Sequence, residues 1–182
     1  MSLHPVFLIV RAKVAEAAKA VAHMQANDAQ QKSLSVTNPD LYQCSVHAES
    51  MATNVQGIYT NIEGILKALA NAVDGYVPTG ESSHRDLLLQ VSVASENRSE
   101  IIQQDTLKGL SKLLRFRHAM RNNYAGDLRP DDVFENVALA GSIAPQLFGD
   151  LEAFISSFEQ PGGQEQTDES QNRPTPGRPT TS

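Results

Sequence analysis

The 182 residues contain no Trp and a single Cys, Cys44, and only 5% of them are aromatic. One thiol builds neither an intrachain disulfide nor a cysteine-held zinc site, and it fits a reducing compartment. Long apolar runs are missing as well. Val6 to Val10 is far too short to cross a bilayer, and Arg11 and Lys13 follow it, the reverse of a signal peptide's order. A cytoplasmic protein without membrane association is expected. Glycine-rich phosphate loops of the nucleotide-binding types are absent, so no cofactor is expected. Alternating runs of β-branched and aromatic residues between tight turns do not occur, which argues against a sheet. Positive charge is in deficit, with 15 Lys+Arg against 21 Asp+Glu and a formal net charge of -6. That balance excludes a protein whose main task is coating nucleic acid, but leaves room for a local basic patch.

What is present reads as helix. Phe7, Val10, Val14, Ala17, Val21 and Met24 recur every three or four residues within Val6 to Lys32, an Ala-, Lys- and Gln-rich stretch. Thr37-Asn38-Pro39 breaks it. A second, long helix starts near Leu41 and carries Met51, Val55, Ile58, Ile62, Ile65, Leu66 and Leu69. Its Gly57 and Gly64 either admit a neighbouring helix or simply weaken this one. After the turn-rich loop from Asp74 to Gly80, Ser82 or Ser83 caps a third helix bearing Leu87, Leu88, Leu89, Val91 and Val93. A polar gap from Ser95 to Glu100 precedes a fourth helix over Leu107 to Tyr124. A fifth runs from about Asp132 to Phe158, where Gly141 and Pro145 can interrupt it. The expected fold is all-α, an antiparallel bundle of about five helices over residues 1–159. Residues 160–182 hold four of the nine prolines and no Leu, Ile, Val, Phe, Tyr or Met, so a disordered tail is expected there.

Chemistry concentrates in KLLRFRHAMRNNY, where Lys112, Arg115, Arg117, His118 and Arg121 lie within ten residues of an acidic chain. At 100° per residue, Leu110, Leu113, Leu114, Arg117, Arg121 and Tyr124 share one arc, so an apolar stripe becomes an arginine-tyrosine stripe toward the helix end. An arginine on a core-facing stripe needs a carboxylate, a helix C-terminus or an anionic ligand, because burying a lone charge is too costly. Arg117 therefore either pairs with an acid such as Glu63 or Asp127, or holds an anion. His84, with Glu81 and Asp86 nearby, reads as part of a helix N-terminus rather than as a metal ligand, and no metal site is expected. Cys44, with no basic motif beside it, reads as a bystander thiol.

The segment GESSHRDLLLQ followed by LLRFRHAMRNNYAGDLRPDDV resembles the HepT-like branch of the HEPN superfamily, bacterial ribonuclease toxins, over about Gln56 to Phe158. The resemblance implies a homodimeric helical bundle whose two motif helices form a cleft that cuts RNA without metal. The family arginine falls on Arg117, which would hold the scissile phosphate, with Arg115 and Arg121 as further phosphate-binding residues. The family histidine falls five residues on, where this chain has Asn122. Asparagine can hydrogen-bond a phosphate but cannot exchange a proton near neutral pH, so cleavage is expected to be weakened or lost unless His118, one turn earlier, takes the proton role. The family tyrosine falls on Tyr124, either the acceptor of AMP from a minimal nucleotidyltransferase antitoxin or an aromatic covering the bundle end. The alternative, favoured by Asn122, is a catalytically inactive helical interaction module that binds a protein partner or a nucleotide.

Overall fold

A computed structural model describes residues 5–36, 45–96, 98–122 and 129–159. It has five helices, α1 (Pro5–Leu34), α2 (Ser45–Asp74), α3 (Ser83–Ser92), α4 (Gln104–Asn122) and α5 (Pro130–Glu159). The architecture is an all-α bundle. Among the described residues the only β feature is an isolated bridge between Ser95 and Arg98. The break at residues 37–39, Cys44, Tyr124, Asp127 and the segment 160–182 lie outside the described residues.

The periodic positions are what the bundle buries. Phe7, Val10, Ala17, Val21 and Met24 face the core from α1, with Val14 packed at its edge. Met51, Val55, Ile58, Ile62, Ile65, Leu66 and Leu69 do so from α2. α2 is the central element and touches each of the other four helices. Its side chains therefore form part of every face, including the one toward α3 and α4 that holds the candidate site.

Several local expectations need correction. Leu89 and Val93, grouped with the apolar face of α3, are exposed, while Leu87, Leu88 and Val91 are buried. Ser82 occupies the N-cap of α3, but its hydroxyl donates to the Asp86 carboxylate instead of accepting from a helix amide. Gly57 and Gly64 admit no neighbour, since a Cβ on either would meet nothing within 4 Å. The close helix crossing is at Gly109 of α4, where a Cβ would lie 2.4 Å from Ile143 Cγ1 of α5. α5 continues through Gly141 and Pro145. Pro145 removes the amide that would bond the Gly141 carbonyl, and its exposed position leaves that carbonyl within reach of water.

Two polar anchors position α3 and α4. The buried Arg98 guanidinium joins Asp74 at the end of α2 (Nε–Oδ1 2.6 Å) to the Gln90 carbonyl of α3 (3.0 Å). Asp150 of α5 accepts from the Gln103 amide (2.9 Å) and the Thr106 hydroxyl (2.6 Å), tying down the start of α4. The polar gap between α3 and α4 is thus a fixed connection.

Candidate RNA-binding site on helices α2, α3 and α4

Tyr59, Glu63 and Lys67 stand four residues apart on α2 and so share one side of it. Ile62, Leu66 and Ile65 turn that region toward the core, which places the Glu63 carboxylate at the inner margin, where it is only 7% exposed. A buried carboxylate must be paired. It accepts hydrogen bonds from Lys67 of its own helix and from Arg117 Nη1 of α4 at 3.0 Å, and lies 2.9 Å from His84 Nδ1 of α3 as an ion-pair partner. The last two converge on the same oxygen, Oε2, so three helices meet at one atom. Burial pushes the Glu63 carboxyl up, but the Lys67 hydrogen bond and the electrostatic influence of His84, Lys67 and Arg117 outweigh it and hold the group below its ordinary range.

Arg117 is 13% exposed and packs its guanidinium over the Tyr59 ring, 5.7 Å from the ring centre. Burial of Tyr59, reinforced by the Glu63 charge and opposed by Arg117, raises its phenol above the ordinary value and keeps it neutral. The Tyr59 hydroxyl and Arg117 Nε are both buried and have no hydrogen-bond partner among the described residues. Of Arg117's three nitrogens, only Nη1 is engaged there. Its side chain, with that of Arg121 one turn on, lines a shallow groove of about 450 Å³, walled on α2 by Gln56, Gly57, Thr60 and Asn61. The groove lining holds the two arginines and no carboxylate, and of the two Arg117 is paired with Glu63 while Arg121 adds a further cation. The arrangement favours an anion.

The structure sorts the residues singled out in the sequence. Arg117 pairs with Glu63, the acid named for it, and its side chain also lines the groove. His118 is exposed beside this cluster, its ring 6.0 Å from that of His84 and edge-on at 81°. Arg115 points elsewhere, lining a separate depression with Lys112, Phe116, Glu135 and Asn136 between α4 and α5. Asn122 ends α4; its side chain and Tyr124 fall outside the described residues. His84 stands in the first turn of α3, the helix N-terminus expected for it, and also belongs to the cluster. Local spacing did not reveal this, because its partners Glu63 and Arg117 are 21 and 33 residues away and meet it only through the packing of α3 on α2 and α4. Among the described residues no group of three or more His, Cys, Asp or Glu side chains is placed to hold a metal ion. No helix among them is long and apolar enough to cross a membrane.

A five-helix bundle whose fourth helix carries the arginines and His118 is the class of fold that the HEPN-type resemblance implies. The family model described as HepT-like protein matches residues 50–158, and the chain belongs to that family. The match covers α2 from its second turn, all of α3 and α4, and α5. No curated protein and no solved structure matches the chain.

Proposed function

We propose that the protein is the toxin of a toxin-antitoxin pair, a homodimeric, endoribonuclease-type protein that binds RNA along the groove beside Arg117. The observation that supports this is the Arg117 guanidinium, which leaves one amino nitrogen besides the buried Nε uncommitted among the described residues and lines the groove together with the Arg121 guanidinium. A phosphodiester presents the acceptor oxygens those donors lack, and Arg117 would also stabilise charge building on phosphorus-bound oxygens during cleavage. The partner is a minimal nucleotidyltransferase antitoxin that transfers AMP to Tyr124, two residues beyond the end of α4. AMP adds bulk and negative charge three residues along the chain from Arg121 and would compete with RNA for that cation.

The test combines expression of the protein alone, scored for growth arrest, with RNA binding and cleavage by purified wild type, Arg117→Ala and Asn122→His. Wild type is expected to bind RNA and Arg117→Ala to bind it at least tenfold more weakly. Absence of RNA binding by the wild type refutes the reading and leaves the interaction module, which the Asn122 substitution favours. Incubation with the nucleotidyltransferase and ATP is expected to add AMP masses at Tyr124, and an unchanged intact mass would remove the antitoxin part of the proposal.

A further inference from the structure

We infer that the groove beside Arg117 reads a single nucleotide, its two arginines holding the phosphate and its α2 wall selecting a base with an exocyclic amine, so that adenine, cytosine and guanine are preferred over uracil. The inference rests on the reading of the protein as one that binds RNA. Its basis is the contrast between the two walls. On α4 the groove is lined by Arg117 and Arg121, and on α2 by Thr53, Gln56, Gly57, Thr60 and Asn61. The α2 residues follow the spacing i, i+3, i+4, i+7, i+8 and form one stripe roughly 12 Å long. Every one of them is uncharged. Cations hold phosphate whatever the sequence, whereas neutral amides and hydroxyls pair with base edges, so the two walls divide positioning from specificity. The groove's volume of about 450 Å³ falls within the roughly 300–1,000 Å³ of small-ligand sites and suits one nucleotide.

The hydrogen-bond state of the α2 side chains decides which base they take. The Thr53 hydroxyl donates to the Glu49 carbonyl and the Thr60 hydroxyl to the Gln56 carbonyl, each at 2.9 Å. Both protons are thus committed within α2, and the two oxygens can offer a ligand only lone pairs. They ask for a donor. The Gln56 and Asn61 carboxamides each carry a donor and an acceptor side by side, the pattern that pairs at two points with a base edge. All four bases satisfy a carboxamide on the pairing edge, uracil through its N3–H and O4. The difference lies in the next group. Adenine N6, cytosine N4 and guanine N2 each add an amine N–H for a threonine oxygen, whereas uracil adds only carbonyl oxygen, which leaves two acceptors facing each other without a proton. Gly57 lies between the two threonines, and a Cβ there would meet nothing within 4 Å, so the middle of the stripe is bare backbone on which a flat base can rest. Unstacked bases of a single strand present the required edge, while those of a duplex use it in pairing.

The experiment measures equilibrium binding of the full chain, at fixed salt, to short 2'-O-methyl oligonucleotides, whose blocked 2'-oxygens prevent cleavage. The strands are oligo(U), oligo(U) with a single central adenine, cytosine or guanine, and oligo(U) with a central N6,N6-dimethyladenine, which keeps the purine ring and lacks both amine protons. The adenine, cytosine and guanine strands are expected to bind about three- to tenfold more tightly than oligo(U), the yield of one net hydrogen bond in an open groove, and the dimethyladenine strand no more tightly than oligo(U). The strongest of the three identifies the preferred base. Combining Thr53→Val with Thr60→Val keeps the side-chain shape and removes the acceptors. It should abolish that preference while oligo(U) affinity changes less than about twofold, which also shows the fold intact. Arg121→Ala should weaken every strand alike. Equal binding of all strands by the wild type, or a preference that survives in the double valine variant, overturns the inference while the RNA reading stands. Tight binding of the dimethyladenine strand also overturns it, because the ring and not the amine would then be selected. A wild type that binds neither these strands nor their all-ribose counterparts removes the RNA reading as well.

Discussion

Two arginines in this bundle sit at core-facing positions, and their surroundings separate a structural cation from one kept for a ligand. Arg98 is 2% exposed and saturated: Nε and Nη2 bond Asp74 at 2.6 and 2.8 Å, Nη1 bonds the Val93 and Ser99 carbonyls, and Nη2 also reaches the Gln90 carbonyl. Arg117 spends one nitrogen on Glu63, holds its Nε buried without a partner among the described residues, and lines the groove. Removing Asp74 strands the Arg98 charge, so Asp74→Ala is expected to destabilise the fold by about 3 kcal/mol in urea titration. Arg117→Met should cost less than half of that, because Glu63 keeps Lys67 and His84 as partners. The Arg98 hydrogen bonds, against the opposing effect of burial and with help from Gln90, hold the Asp74 carboxyl below its ordinary value. A depressed folded value means the contribution is complete above the unfolded value of about 3.9 and disappears as pH falls through the lower folded one. Melting temperature should therefore drop below about pH 4, and less steeply in Asp74→Asn. At this scale legibility depended on neighbours in sequence. Arg117 stood out because a cation interrupted an apolar stripe. Arg98 in a polar gap and His84 in a loop-helix junction gave no such signal, since their partners come from other helices.

At the scale of elements, the apolar period carried most of the information and glycine carried little. The stripes of α1 and α2 could be read because burial repeats with the helical turn, whereas a glycine reports only that a side chain is missing. Three glycines inside helices show how far its consequences diverge. At Gly64 an added Cβ meets nothing, so Gly64→Ala removes only the helix penalty of glycine and should stabilise by about 0.5–1 kcal/mol. Gly57 is equally open but borders the groove, where a small methyl should give the same gain and a bulky residue should obstruct binding. At Gly109 the new Cβ would come within 3.2 Å of Ile143 Cβ, an atom fixed to the α5 backbone, so rotating the Ile143 side chain cannot fully relieve the contact. Gly109→Ala should destabilise by about 1–3 kcal/mol despite its better helix propensity. Urea midpoints of the two alanine variants with opposite shifts would bear this out; a stabilised Gly109→Ala would show that α4 and α5 are not in close contact there. The helix boundaries were the least readable feature, and α5 runs through a proline that the sequence marks as a break because its missing amide lies on an exposed face.

For the whole molecule, the net charge of -6 argues against nucleic acid, while the fold collects Arg117 and Arg121 on one groove and sends Arg115 to another face. Mean charge is a poor guide when a bundle segregates its cations by helix face, and the sequence could show the cluster without showing which members act together. This difference can be measured through salt. Each phosphate neutralised on a single strand contributes about -0.7 to the slope of log affinity against log salt concentration, so two groove arginines give about -1.4 per protomer. Arg121→Ala should make the slope shallower by about 0.7 and weaken binding alike across RNA sequences. Lys108→Ala is the control, since Lys108 already pairs with Asp105 at the far end of α4, and its slope should match the wild type. If the protein dimerises, both wild-type slope and the Arg121 effect double for an RNA spanning the two grooves, and sedimentation at the same concentrations fixes which case applies. An Arg121→Ala slope equal to the wild type would place the RNA outside the groove, whereas a loss on Arg115→Ala instead would move it to the depression between α4 and α5.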